Sequence, residues 1–174
     1  MTSEAKPSAG ALSDPERQRR SQGAVRPRPA LEGHTKLHIF PIRVYYEDTD
    51  AGGIVYHSNY LNFAERARTE LVRELGISQR TLLEEGGGTA FAVRSAALDF
   101  LKPAKLDDLL RVETQVMAVG GASVELRQVI KREADSIELV RIDVRLGYIT
   151  LSGKPARIPA EVRDLFGNRV SERR

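Results

Sequence analysis

A chain of 174 residues, 41% of them hydrophobic, is long enough to bury one domain core and short for two. It has no cysteine, which excludes disulfides, thiolate metal sites and cysteine nucleophiles. The net charge of +3 does not indicate a nucleic-acid-binding domain, because residues 1–36 hold seven Lys or Arg against four Asp or Glu and account for the whole excess.

Residues 1–36 are predicted to be a disordered basic extension. They contain four of the eight prolines together with Ser, Gly and Arg, and they show almost no apolar periodicity. The segment lacks the apolar core of a secretory signal, and no apolar run approaches the roughly 20 residues that span a membrane. We therefore expect a cytoplasmic protein without stable membrane insertion, with one domain at 37–166 and a flexible tail at 167–174.

The first predicted element is a half-buried strand in HIFPIRVYYE, where apolar and polar residues alternate. Its inward face would carry Ile42, Val44 and Tyr46.

The pattern then changes to a helical period in SNYLNFAERARTELVRELG. Ser58 or Asn59 can cap the start of this helix, and Gly76 is placed to end it. A short second helix is expected at Ser78–Glu85, stopped by the glycines at 86–88. The apolar face of the long helix would consist of Tyr60, Leu61, Ala64, Ala67, Leu71 and Leu75.

Four strand-like runs follow, with a hairpin signal at Gly120-Gly121 between the second and the third. The order of strand, helix and four strands joined by short turns predicts the α+β class, an antiparallel sheet covered by the long helix. Phe91, Val93 and Ala97 are expected on one face of the first run, and a short terminal segment is expected at Ile158–Phe166. The four runs are Ala90–Leu101, Leu109–Val119, Ser123–Arg132 and the stretch from Val140 to Tyr148.

The connection between the first strand and the long helix contains three carboxylates, Glu47, Asp48 and Asp50, followed by Gly52-Gly53. Glycines allow positive φ and close approach by another molecule, and a helix N-terminus offers unpaired N–H groups for a developing oxyanion. A carboxylate beside that helix end can act as base or nucleophile on a carbonyl. The alternative for any one of these acids is a solvated turn residue.

A metal site is less well supported by this loop. The segment from Asp48 to Gly52 begins like an EF-hand, but its twelfth position is Asn59 instead of Glu. A metal site with the three ligands Asp48, Asp50 and His57 is harder to exclude, although no other residues in the sequence have ligand spacing. His57 itself is about as well explained as a polar residue at a helix start as by catalysis.

The segment YEDTDAGGIVYHSNY followed by ERARTE resembles the hot-dog-fold acyl-CoA thioesterases of the 4-hydroxybenzoyl-CoA thioesterase family. Within that family it is most similar to the bacterial Tol-Pal-associated, YbgC-type branch. LDFLKPAKLDD and GKPARIP agree with the same family, and the similarity covers about residues 38–165.

The resemblance implies a long central helix wrapped by a five-stranded antiparallel sheet, in a homodimer or homotetramer with active sites at the dimer interface. It implies hydrolysis of acyl-CoA, of short to medium chain length or aromatic, or of acyl carrier protein thioesters. No metal or organic cofactor is implied. Asp50 matches the catalytic aspartate, and the backbone N–H of His57 matches the donor to the thioester carbonyl. The remaining candidates for substrate binding are Gly53, Ser58, Asn59, Arg94 and Lys102, with Lys105 a further candidate by location.

Two other functions stay open from the sequence. One is a weakly catalytic or non-catalytic module that binds acyl-CoA or acyl carrier protein in cell-envelope phospholipid metabolism. The other is nucleic-acid binding through the basic extension, against which the neutral remainder of the chain argues.

Overall fold

The computed structural model describes residues 36–84 and 87–170. The predicted N-terminal extension up to residue 35, Glu85, Gly86 and residues 171–174 lie outside the described residues. No helix within the described ranges combines the length and apolar character that crossing a membrane requires. The described elements are β1 (Leu37–Arg43), α1 (Asn59–Glu74), α2 (Gln79–Glu84), β2 (Thr89–Phe100), β3 (Leu109–Val119), β4 (Ser123–Arg132), β5 (Glu138–Thr150) and α3 (Ala160–Gly167).

The five strands form one antiparallel sheet in the order β1-β3-β4-β5-β2. The turn between β3 and β4 falls at the predicted glycine pair. The long helix α1 packs against β1, β3 and β4 on the inner face of this sheet. The α+β class and the five-stranded antiparallel sheet are therefore confirmed.

The core lies between α1 and the inner face of the sheet. Phe63, Ala64 and Ala67 of α1 are completely buried, and burying a side chain as large as Phe63 contributes about 1.5–3 kcal/mol. Of the six residues predicted on the buried face, Leu61 is instead 39% exposed. The strand residues that meet the helix in this cluster include Ile42, Leu110, Val112, Ile130 and Ile142.

The first strand is shorter than predicted. β1 ends at Arg43, and Tyr46–Asp48 form a 3₁₀ turn. The turn forms because the Asp48 carboxylate accepts the Tyr45 N–H at 2.8 Å, a local bond that competes with the sheet. Tyr46, expected on the inward face, is 83% exposed as a result.

A β-bulge changes the facing of β2. The pairing register with β5 shifts between Val93 and Ser95, so that Arg94 is the extra residue. Side chains after the bulge exchange faces, and Ala97 lies opposite Asp143 instead of sharing the face of Phe91. The predicted grouping of Ala97 with Phe91 and Val93 is therefore wrong, because strict alternation does not anticipate a bulge.

A buried polar network crosses the core under α1. The Arg68 guanidinium donates to Gln128 Oε1 at 2.7 Å and pairs with the Glu65 carboxylate. The Gln128 amide donates to the Ala64 carbonyl and to Thr114 Oγ1, both at 3.0 Å. This network fixes the helix to β3 and β4 at one defined position, since each of its buried polar groups depends on the others.

The outer face of the sheet carries cross-strand ion pairs. Arg127 on β4 binds Asp143 on β5 through two hydrogen bonds, of 2.7 and 3.2 Å. Glu125 lies 3.8 Å from Arg145 in the neighbouring pair of the same two strands.

Residues 167–170, which the sequence analysis assigns to the flexible tail, include two residues that contact the domain. Val170 forms a parallel bridge with Val116 of β3, and the Arg169 guanidinium binds Glu74 of α1 at 2.6 Å. The same carboxylate lies 3.5 Å from His38 Nε2 on β1. Burial lowers the pKa of His38, with Glu74 opposing the shift.

Candidate active site

Asp50 lies at the start of a tight chain reversal that joins the 3₁₀ turn to α1. Its N–H donates to the Ile54 carbonyl at 3.0 Å, and its own carbonyl accepts the Gly53 N–H at 3.0 Å. Gly53 closes this reversal with a φ of +72°, a left-handed conformation that favours glycine. The reversal therefore presents Asp50 at an exposed edge of the loop.

The Asp50 carboxylate is held at one oxygen only. Oδ1 accepts the Gly52 N–H at 2.8 Å. Oδ2 has no protein donor among the described residues, so it is available to react with a bound molecule. One bond orients the group and leaves the other oxygen accessible, as a base or nucleophile requires.

Asp48 has a different role from Asp50. It is buried, and its carboxylate is bound to the Tyr45 N–H. Its carbonyl accepts two hydrogen bonds from the helix side, from the Tyr56 N–H at 2.9 Å and from Asn59 Nδ2 at 3.0 Å. Asp48 thus connects the acidic loop to the start of α1, while Glu47 is exposed.

The N-terminus of α1 supplies the positive end of the site. The Asn59 N–H donates to the Tyr56 carbonyl at 2.9 Å, which closes the turn that begins the helix. Ser58 is the N-cap residue, and its side chain makes no capping bond. Within the described part of the chain, the His57 N–H has no acceptor, so it and the dipole of a 16-residue helix are available to an anionic oxygen.

Asp50 and His57 line the same cleft, which has a volume of about 370 Å³. The His57 ring lies 4.4 Å from the Tyr56 ring and 6.5 Å from the Phe100 ring, measured between centroids. Residues 101–104, named the cleft wall, follow β2; the first three line the cleft, and the fourth, Ala104, is completely buried. The other lining residues are Ile54, Val55, Tyr60, Phe100, Leu101, Lys102 and Pro103.

The cleft combines apolar walls with few polar groups, the usual character of a site for an organic ligand. Tyr60 is buried beneath it, and burial raises the pKa of its phenol, against the opposing effect of a hydrogen bond from Ala104. Lys102 also lines the cleft and supplies a cationic side chain.

Among residues 36–84 and 87–170, no three His, Asp or Glu side chains are grouped to hold a metal ion.

The structure brings together some of the predicted site residues and leaves others apart. Asp50, His57 and Lys102 share the cleft. Gly53 shapes the reversal beside it, and Ser58 occupies the N-cap position of α1 without a capping bond from its side chain. The Asn59 amide is bonded to Asp48.

Arg94 occupies the β2 bulge and does not line the cleft. The sequence reasoning did not identify Tyr60 and Phe100 as site residues. Tyr60 follows the apolar period of α1, and that pattern does not reveal that a core residue also borders a cleft.

A family model described as thioesterase superfamily matches residues 52–138. An acyl-CoA thioesterase YbgC of Haemophilus influenzae is 49% identical over 128 residues, covering 73% of this chain and 92% of the relative. One from Helicobacter pylori is 42% identical over 132 residues, covering 71% of this chain and 96% of that relative. The crystal structure of a probable thioesterase from Bartonella henselae, 38% identical, superposes with a TM-score of 0.67 and covers 71% of this chain and 99% of its own.

Proposed function

The chain belongs to the thioesterase superfamily, and we propose that it hydrolyses acyl-CoA thioesters at the cleft that holds Asp50 and His57. It is a thioester hydrolase, in line with relatives of 49% and 42% identity that are named acyl-CoA thioesterases. One observation carries the assignment of the site: a carboxylate with a free oxygen shares a cleft with the open N-terminus of a long helix.

In the proposed reaction the thioester carbonyl oxygen accepts a hydrogen bond from the His57 N–H. Negative charge develops on that oxygen as the carbonyl carbon becomes tetrahedral, and the α1 dipole stabilises it. A single donor of this kind typically contributes about 3–4 kcal/mol to the stability of the transition state.

Asp50 reacts through Oδ2 by one of two routes, either with the carbonyl carbon itself or with the water that attacks it. As nucleophile it forms an acyl anhydride while the C–S bond breaks and coenzyme A leaves as thiolate; water then hydrolyses the anhydride. As base it takes a proton from water, the resulting hydroxide attacks the carbonyl, and the thiolate leaves with that proton. Both routes need the orientation that the Gly52 N–H gives to Oδ1.

Binding of the coenzyme requires cations near its phosphates. Lys102 lines the cleft and is placed for this role, and Lys105 lies three residues further along the chain. The phosphopantetheine arm of coenzyme A is shared by acyl carrier protein, which is a second possible donor for the same cleft.

We propose that the protein is a homodimer joined along β2, with a homotetramer as a dimer of dimers. β2 is an edge strand of 12 residues, and its inner-face residues Val93 and Phe100 are 51% and 53% exposed. Long apolar edge strands tend to pair with another chain. Because Phe100 lines the cleft, a second copy bound there would border the substrate site.

The test is thiol release from a panel of acyl-CoA and acyl carrier protein thioesters by the wild type and by Asp50→Asn. The isosteric amide can still accept the Gly52 N–H but is neither base nor nucleophile, so kcat should fall by roughly 10²- to 10⁴-fold. Asp164→Asn, at an exposed carboxylate on α3, is the matched control and should retain activity. An inactive wild type refutes the activity, and an undiminished Asp50→Asn refutes the role of Asp50.

A further inference from the structure

The cleft wall is held in place by hydrogen bonds to other parts of the fold. The N–H groups of Leu101 and Lys102 both donate to the Leu139 carbonyl on β5, at 2.8 and 3.1 Å. The third residue of the wall is a proline and has no N–H to donate. The sheet therefore anchors the wall at its first two residues.

The other end of the wall is anchored at Ala104, which is completely buried. Its carbonyl accepts the Val55 N–H at 2.9 Å. Its N–H donates to the Tyr60 hydroxyl at 2.8 Å. Two elements on the catalytic side of the cleft, the loop and α1, thus bind the two backbone groups of one wall residue.

Tyr60 lies three residues after His57, in the first turn of α1, and is 3% exposed. Its ring meets the Phe100 ring at a centroid distance of 6.0 Å, at the point where β2 passes into the wall. The ring of Tyr60 therefore contacts the residue just before the wall, and its hydroxyl binds the last residue of the wall.

Asp50 and His57 are positioned by other bonds. The Asp50 carboxylate is oriented by Gly52, and the helix start is tied to the loop through the Asp48 carbonyl. Removing the Tyr60 hydroxyl would leave these bonds intact and would take from the wall only the hydrogen bond at the Ala104 N–H. Substrate binding and chemistry can therefore be separated at this residue.

We infer that the Tyr60 hydroxyl is a positioning group that holds the cleft wall, with Lys102, at the spacing from Asp50 and His57 that the substrate needs. The expected effect on the kinetics of acyl-CoA hydrolysis rests on the proposed function. Its structural part, the dependence of the wall on this hydroxyl, can be measured without any substrate.

The experiment compares Tyr60→Phe with Tyr148→Phe. Tyr148 is 2% exposed, and its hydroxyl lies 2.7 Å from Thr89 Oγ1, so Tyr148→Phe also removes one hydrogen bond, which is partly buried. It belongs to a different part of the core from Tyr60 and does not line the cleft. Thermal melting of both variants first establishes a temperature at which both are folded.

Two measurements follow at that temperature, the exchange rate of the Ala104 amide and the kinetics of acyl-CoA hydrolysis. In Tyr60→Phe, we expect exchange to accelerate about tenfold, because the amide loses a hydrogen bond of ordinary strength. We expect KM to rise about tenfold while kcat stays within about twofold of the wild type. Tyr148→Phe should match the wild type in both measurements.

Equal loss of thermal stability in the two variants without a change in KM would overturn the inference, since Tyr60 would then be a structural residue only. Unchanged Ala104 exchange in Tyr60→Phe would overturn it as well. A wild type that is inactive on every thioester refutes the proposed function instead, and the exchange comparison still decides whether the hydroxyl holds the wall.

Discussion

Gly52 offers a way to displace the Asp50 carboxylate without changing its chemistry. A Cβ at position 52 would lie 3.0 Å from Asp50 Oδ1, the oxygen that accepts the Gly52 N–H. Ordinary contacts of this kind begin at 3.4 Å. Gly52→Ala should therefore move Oδ1 by about 0.4 Å and stretch its hydrogen bond to the residue 52 N–H.

The expected result is a kcat about tenfold below that of the wild type, because displacement of a reacting group by about 1 Å can cost on the order of 10²-fold. Folding stability should stay the same or rise by up to about 1 kcal/mol, since Gly52 has no positive φ and alanine restricts the unfolded chain. The substitution therefore separates activity from stability.

Gly53→Ala is the matched control, because position 53 has free space for a Cβ but an unfavourable φ, the reverse of position 52. A Cβ there meets nothing within 4 Å, but the φ of +72° is unfavourable for alanine. We expect the free energy of unfolding to fall by about 1–2 kcal/mol, while kcat falls less than in Gly52→Ala because the added Cβ meets no atom of Asp50.

The assay is steady-state acyl-CoA hydrolysis with chemical denaturation of all three proteins. If Gly52→Ala is as active as the wild type, or if both variants lose activity in proportion to stability, the orientation of Asp50 by Gly52 does not control the reaction.

Two further predictions concern buried polar groups. Burial lowers the pKa of His38 below its unfolded value of 6.5, although Glu74 opposes the shift, so the folded state disfavours the protonated ring. The free energy of unfolding should be constant above about pH 6.5 and decline below it, and the decline should be shallower in His38→Phe; parallel urea titrations at several pH values test this. Gln128→Leu should lower the free energy of unfolding by about 3 kcal/mol, because Arg68 loses a buried acceptor at 2.7 Å. A urea-unfolding loss below about 0.5 kcal/mol would contradict the importance of that network.

The sequence predicted the fold class and the loop-to-helix arrangement because both depend on local signals. Alternating and helical periods distinguish strands from helices, and a glycine pair before a helix marks a sharp reversal. These local signals indicate only the acidic loop and the helix start; the resemblance to the thioesterase family singles out Asp50 and the His57 N–H within them. Their roles stay predictions until the variants are assayed.

Other features depend on contacts that no local pattern encodes. The capping bond between Asp48 and Tyr45 ends β1 early, and the bulge at Arg94 reverses the facing of later residues in β2. The contact from Tyr60 to Ala104 spans 44 positions along the chain. Such features are evident only in the folded chain, because no local sequence pattern indicates which distant groups meet.

The ion pairs between β4 and β5 also discriminate against mispaired strands during folding. A shift of one residue would expose the apolar face, but a shift of two would keep it buried and so would escape that penalty. The charged residues on the outer face disfavour the shift of two residues. Arg127, now opposite Asp143, would face Arg141 after a shift in one direction and Arg145 after a shift in the other. Like charges directly opposite are destabilising, so the solvent-facing side chains reject the misalignments that the core would tolerate.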